Sequence, residues 1–121
     1  MDIQALEIAV SQENNLAIVR IKGRIIRENR DALRIKIEEV VSRGVKGIAL
    51  DFGGVEYIDS SGLGCCSDAH KLMASRSGAL VMFGASPSVE RMWRLPRLDL
   101  VIPPFQKEKE AVERLQAKTA T

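Results

Sequence analysis

The sequence predicts an α/β domain in which a mixed, partly parallel sheet of four to five strands packs against amphipathic helices. Three observations carry that expectation. Apolar residues alternate at period two across residues 6–22, the apolar spacing turns helical from Asn29 onward, and the run Gly47-Ile48-Ala49-Leu50-Asp51-Phe52 is apolar on both faces until near its end. A helix followed by a buried strand needs a crossover connection, so part of the sheet runs parallel.

The elements follow in order. Leu6, Ile8 and Val10 alternate with more polar positions, Glu13-Asn14-Asn15 supplies turn chemistry, and Leu16 to Lys22 returns with Ala17, Val19 and Ile21 on one face. This reads as an N-terminal hairpin ended by Gly23. Leu33, Ile37, Val40 and Val41 form a helical stripe closing before Gly44, and the buried strand 47–52 comes next. Beyond the stretch YIDSSGLGCC, residues Tyr57 to Cys66, a second stripe of Cys65, Cys66, Ala69, Leu72 and Met73 ends near Ser77-Gly78. Ala79 to Phe83 is another apolar strand, stopped by Gly84. Ser86-Pro87 reads as the cap and first turn of a short helix carrying Val89, Met92 and Trp93, which Pro96 ends. Leu100-Val101-Ile102 is expected as a last edge strand before Pro103-Pro104, and Lys107 to Gln116 as an amphipathic helix with Ala111, Val112 and Leu115 inward. Residues 1–116 thus form one domain, with 117–121 a frayed tail.

Composition bounds the function. A chain of 121 residues, 45% of them hydrophobic, supports one core. The 18 Lys+Arg against 16 Asp+Glu leave a net charge of +2, and no basic run interleaved with aromatics points to nucleic acid. The N-terminus lacks the basic leader and apolar core of a signal peptide, and no apolar run approaches the roughly 20 residues that span a bilayer. Neighbouring Cys65 and Cys66 cannot staple distant elements, which fits a reducing compartment. A cytoplasmic protein without membrane insertion is expected.

The stretch YIDSSGLGCC sits between a strand region and a helix, where α/β folds usually present functional groups. Neither serine fits a nucleophile elbow, because Ile58 and Asp59 stand where that turn needs glycine. His70, the single histidine, lies ten residues beyond Ser60 on the same expected helix. That is about 15 Å along the axis, against the roughly 3 Å that a nucleophile and its base require. No Gly-Lys-Ser or Gly-Lys-Thr supports a Walker loop, and one histidine with vicinal cysteines makes no tetrahedral metal set. No cofactor is expected. Helix capping by Asp59, Ser60 or Ser61 remains the plainest reading, yet one cap does not require two hydroxyls.

Tyr57-Ile58-Asp59-Ser60-Ser61-Gly62-Leu63-Gly64 closely resembles the signature of STAS domains of the bacterial anti-sigma factor antagonist family, in which Asp-Ser-Ser or Asp-Ser-Thr precedes Gly-Leu-Gly. Asp51-Phe52, Gly78 with Ala79-Leu80-Val81, and Ser86-Pro87-Ser88-Val89 extend the match over about nine-tenths of the chain. The resemblance implies a non-enzymatic partner switch. Ser60 is expected to be phosphorylated by a GHKL-type serine kinase that is also the anti-sigma factor, and dephosphorylated by a PP2C-type phosphatase. Asp59, Ser61, Gly62, Leu63 and Gly64 are the expected partner-binding residues around it. Gly62 and Gly64 also read as plain packing features, and Cys65 and Cys66 stand where the family has aliphatics.

One loop departs from the family. Gly23-Arg24-Ile25-Ile26-Arg27-Glu28-Asn29 has Ile26 in place of the usual acid, and Arg24, Arg27 and Arg30 make it basic. It reads either as a solvated charge cluster or as a partner surface of altered charge, with Arg24 and Arg27 in contact. STAS domains also serve as non-switching subunits of transport and stress-signalling assemblies, which is the alternative function.

Overall fold

A computed structural model describes residues 5–119. Strand β1 (Glu7–Glu13) pairs antiparallel with β2 (Leu16–Ile25), and β2, β3 (Gly47–Ile58), β4 (Ala79–Phe83) and β5 (Pro104–Phe105) run parallel in the order β1-β2-β3-β4-β5. The expected mixed sheet is present. Helices α1 (Arg30–Ser42), α2 (Ser60–Ser75) and α3 (Pro87–Arg94) each connect one parallel strand to the next.

The layering follows from handedness. Parallel crossovers are right-handed, and three in succession moving the same way across a sheet put their helices on one face. Leu33, Ile37 and Val40 of α1, Cys66 and Met73 of α2 and Trp93 of α3 accordingly share one core with Val19, Ile48, Leu50 and Phe52. The other face is left for α4 (Glu108–Thr119), whose Ala111 and Leu115 cover Ala49, Val81 and Phe83. Alternate residues of β3 therefore serve different cores, which explains a run apolar on both faces. Arg20 ties α4 to the sheet, its Nη1 lying 3.0 Å from Asp51 Oδ2 and 2.9 Å from Glu108 Oε1. Both carboxylates hold the guanidinium proton more firmly than usual.

Several boundaries differ from the sequence expectations. Gly23 does not end β2: with φ +120 it absorbs an irregularity in the β2–β3 ladder, and pairing resumes through Arg24↔Tyr57 and Ile25↔Ile58. β3 likewise passes through Gly53-Gly54 to Ile58. The expected strand at Leu100-Val101-Ile102 is not formed. Leu98–Leu100 is a 3-10 turn, and β5 lies further on at Pro104–Phe105. The reason is local: the Ile102 N–H donates to Leu98 O at 2.7 Å, and its carbonyl accepts the Trp93 indole N–H at 3.1 Å. Neither group is left for a ladder. Met82 and Gly84 donate instead to the carbonyls of Pro103 and Phe105, and an edge strand tolerates the prolines, which cannot donate. Helix α4 runs to Thr119, past Gln116, so part of the expected tail is helical; Ala120 and Thr121 lie outside the described residues.

Cys65 and Cys66 are both buried and unpaired. Burial, reinforced by Asp68, pushes the Cys65 thiol up to about 11, and burial, reinforced by Cys65, pushes Cys66 higher still. With so little thiolate at neutral pH, both act as small apolar residues of α2.

Candidate functional site

The irregularity at Gly23 has a positional consequence: β2 and β3 end together at Ile25 and Ile58. The loop after β2 and the start of α2 therefore lie side by side. Asp59, the N-cap of α2, fastens them with both carboxylate oxygens. Oδ1 accepts the Gly62 N–H at 2.9 Å, and Oδ2 accepts the Arg27 N–H at 3.0 Å. Its own N–H donates to Ile25 O at 3.1 Å. The cap is thus Asp59, and neither serine supplies it.

Both hydroxyls are left over. Ser60 is exposed in the first turn of α2 and Ser61 is half-buried; among the described residues neither side chain has a hydrogen-bond partner. At a helix start the first N–H groups lack intrahelical acceptors, and the macrodipole favours negative charge. The Ser60 oxygen therefore sits where an added anion is tolerated electrostatically.

The structure gives the two glycines different roles. A Cβ on Gly62 would lie 2.7 Å from Ile58 Cγ1, 2.8 Å from Ile25 Cγ2 and 3.0 Å from Ile25 O, whereas a Cβ on Gly64 would meet nothing within 4 Å. Gly62 lets α2 settle on the two strand ends. Gly64 is exposed one turn beyond Ser60, on the same side of the helix. We expect Gly62→Ala to lower stability by about 1–3 kcal/mol through overpacking, and Gly64→Ala to raise it by up to about 1 kcal/mol through helix propensity. Thermal denaturation of the two variants checks the difference; equal effects would remove the distinction. Leu63 is buried in the main core and supports the helix from beneath.

The basic loop is ordered by its own contacts. Asn29 Oδ1 accepts the Ile26 N–H at 3.0 Å, and Asn29 Nδ2 donates to Arg24 O at 2.8 Å. The Arg24 guanidinium stacks over Tyr57, 4.6 Å from the ring centroid. Arg24 and Arg27 thus border the serines through Tyr57 and Asp59. Sequence reasoning gave no role to Tyr57, which is 39% exposed at the next-to-last position of β3. The one signal available was its place as the first residue of the motif.

The fold and this helix start define a small α/β domain that presents an uncommitted hydroxyl beside a basic loop. A family model of the STAS domain matches residues 7–111. The chain belongs to the STAS family. It is 26% identical over 112 residues to a protein of Paenibacillus polymyxa named anti-sigma F factor antagonist, covering 92% of this chain and 96% of that one. An anti-sigma factor antagonist from Mycobacterium paratuberculosis superposes with a TM-score of 0.84 at 21% identity, covering 92% of this chain and 94% of that one. The anti-sigma factor antagonist SpoIIAA in its unphosphorylated form gives 0.79 at 19% identity over 92% and 97% of the two chains. The Bacillus protein of that name in its phosphorylated form gives 0.70 at 19% identity over 89% and 98%. The fold also recurs within the murine Solute Carrier 26 family member A9 anion transporter, at a TM-score of 0.72 and 15% identity over 88% of this chain and 18% of that one.

Proposed function

We propose that this chain is an anti-sigma factor antagonist that works by partner switching. Unphosphorylated, it binds a GHKL-type serine kinase that is also the anti-sigma factor. That kinase transfers the γ-phosphoryl group of ATP to Ser60 Oγ; the hydroxyl proton leaves, ADP departs, and the antagonist is released. A PP2C-type phosphatase hydrolyses the phosphoester and restores the binding form. The chain is a substrate in this cycle and not an enzyme, and it acts in the cytoplasm without contacting nucleic acid.

One observation carries the reading: Asp59 caps α2, leaving the exposed Ser60 hydroxyl without a hydrogen-bond partner among the described residues. A phosphate brings about −1.5 to −2 charges at pH 7, which the α2 N-terminus and the Arg24–Arg27 loop can hold without loss of the fold. Asp59 positions the segment, Ser61 and Gly64 form the surface beside it, and Gly62 and Leu63 support that surface from below. The name of the Paenibacillus relative and the two forms of SpoIIAA support the same reading.

The test is phosphoryl transfer. Incubation with ATP and the GHKL-type anti-sigma kinase of the same genome should add the mass of one phosphate, mapped to Ser60 and absent from Ser60→Ala. Unmodified protein after exhaustive incubation would count against the switch. The alternative, a non-switching STAS subunit of a transport or stress-signalling assembly, draws on the anion-transporter likeness.

A further inference from the structure

We propose that the groove between the end of β3 and helix α3 seats an acidic amphipathic helix of the partner protein, an inference that rests on reading the Ser60 region as a partner surface. The groove has a volume of about 560 Å³, with Tyr57, Val89, Met92 and Leu95 supplying apolar lining and Arg91 and Arg94 at its side. Val89 is buried and forms floor, whereas Leu95 is 75% exposed and Tyr57 39% exposed. An apolar side chain left so open contributes little to this domain's own core and is available to another.

Charge selects the occupant. Arg94 is engaged by Glu90 at 3.8 Å and Asp99 at 3.3 Å, but Arg91 and the Tyr57-stacked Arg24 have no carboxylate partner among the described residues. Glu56 is the one acid among the lining residues. A helix offering leucines at i, i+3, i+4 and i+7, flanked by Glu or Asp, matches both the apolar floor and the guanidinium rim. A second copy of this face would set arginine against arginine. A bilayer, in turn, suits a flat or protruding apolar face better than a concave one.

Preorganisation adds to the case. Arg24 holds the Tyr57 ring, and Pro96 follows Leu95 directly and stiffens the chain there, so little side-chain and backbone freedom is lost on binding. Tyr57 and Ile58 run straight into Asp59 and Ser60. A helix seated in this groove therefore lies against the phosphorylation site, and a charge placed on Ser60 faces the acids of that same helix.

The test uses a synthetic acidic amphipathic peptide of this pattern, a twin with Lys replacing every Glu, and phosphatidylglycerol vesicles, each titrated against isotope-labelled protein. The acidic peptide should shift the amide resonances of residues 56–58 and 88–95 most, with Leu95→Gln and Arg91→Glu each weakening it about tenfold. Absence of those shifts, or stronger binding of the basic twin or the vesicles, overturns the proposal. The same two variants are then assayed against the anti-sigma kinase. Kinase binding that is sensitive to Ser60→Asp but indifferent to both groove variants overturns the groove and leaves the switch standing. Peptide shifts in this groove without any kinase binding support the groove and count against the switch.

Discussion

Ser60→Asp is expected to weaken binding to the proposed anti-sigma kinase by a few hundred-fold, while Ser60→Ala should bind as tightly as the natural sequence and stay bound in the presence of ATP. The magnitude follows from charge placement. Ser60 is exposed and its hydroxyl has no hydrogen-bond partner among the described residues, so a partner surface covering it accommodates a neutral donor and acceptor. An anion there, next to the Asp59 carboxylate, must be desolvated against groups that had accepted a hydroxyl; a mismatch of ~3 to 4 kcal/mol lies within the several kcal/mol that like-charge juxtaposition costs. At 1.4 kcal/mol per decade this is a few hundred-fold.

The fold itself should hardly respond. Asp59 retains its bonds to the Gly62 and Arg27 N–H groups in either form, and an acid in the first turn of a helix stabilises by about 0.3–1 kcal/mol. Isothermal titration gives the affinities, and thermal denaturation shows whether the domain is intact. Equal kinase affinity for Ser60→Asp and the natural chain would end the switching account, as would a Ser60→Asp domain that no longer folds cooperatively.

Trp93→Ala should cost about 3–5 kcal/mol, the range for truncating a large buried aromatic. Trp93 is fully buried, meets Phe52 edge-on at 5.3 Å and 79°, and donates its indole N–H to Ile102 O at 3.1 Å. Removing it opens a cavity beneath α3, forfeits an aromatic pair and leaves a buried carbonyl unpaired. Against a typical domain stability of about 5–15 kcal/mol, this loss brings the protein close to unfolding. Trp93→Phe separates the contributions: it keeps most apolar contact but still orphans the Ile102 carbonyl, at about 1–3 kcal/mol. Urea denaturation followed by circular dichroism measures both, since the chain has one Trp and its fluorescence disappears with it. A loss under about 1 kcal/mol for Trp93→Ala would refute the central packing role.

The second effect bears on function through position. α3 carries Val89, Met92 and Trp93 toward the sheet while leaving Arg91 and Leu95 outward, so Trp93 holds the helix that walls the groove beside Ser60. A destabilised α3 should also lower partner affinity, with the loss growing as the temperature approaches that at which the variant unfolds. Groove variants such as Leu95→Gln should act on affinity without that loss of stability.

Period and punctuation in the chain determine much of this protein. Alternation through Leu16 to Lys22, the helical stripe from Leu33 to Val41 and the doubly apolar run from Gly47 to Phe52 demand a hairpin, a crossover helix and a central strand, because each pattern buries its apolar groups in one geometry only. Ser86-Pro87 marks the start of α3 by the same local logic, and Ser86 does cap it. The run from Tyr57 to Gly64 places the site at the start of α2.

Long-range contacts decide the rest, since backbone groups and charges choose partners by distance in space. Asp59, and neither Ser60 nor Ser61, caps α2 through the Gly62 N–H, while the Arg27 N–H from the neighbouring loop holds its second oxygen. Gly62 and Gly64 are alike in the sequence, and only the approach of Ile25 and Ile58 separates a glycine the packing requires from one it does not. Ile102 reads as a strand residue until Trp93 and Leu98 take its hydrogen bonds. Local pattern thus establishes that Ser60 opens a helix; tertiary contact leaves its hydroxyl without a partner among the described residues, because the cap it could have formed is already made by a carboxylate held from two sides.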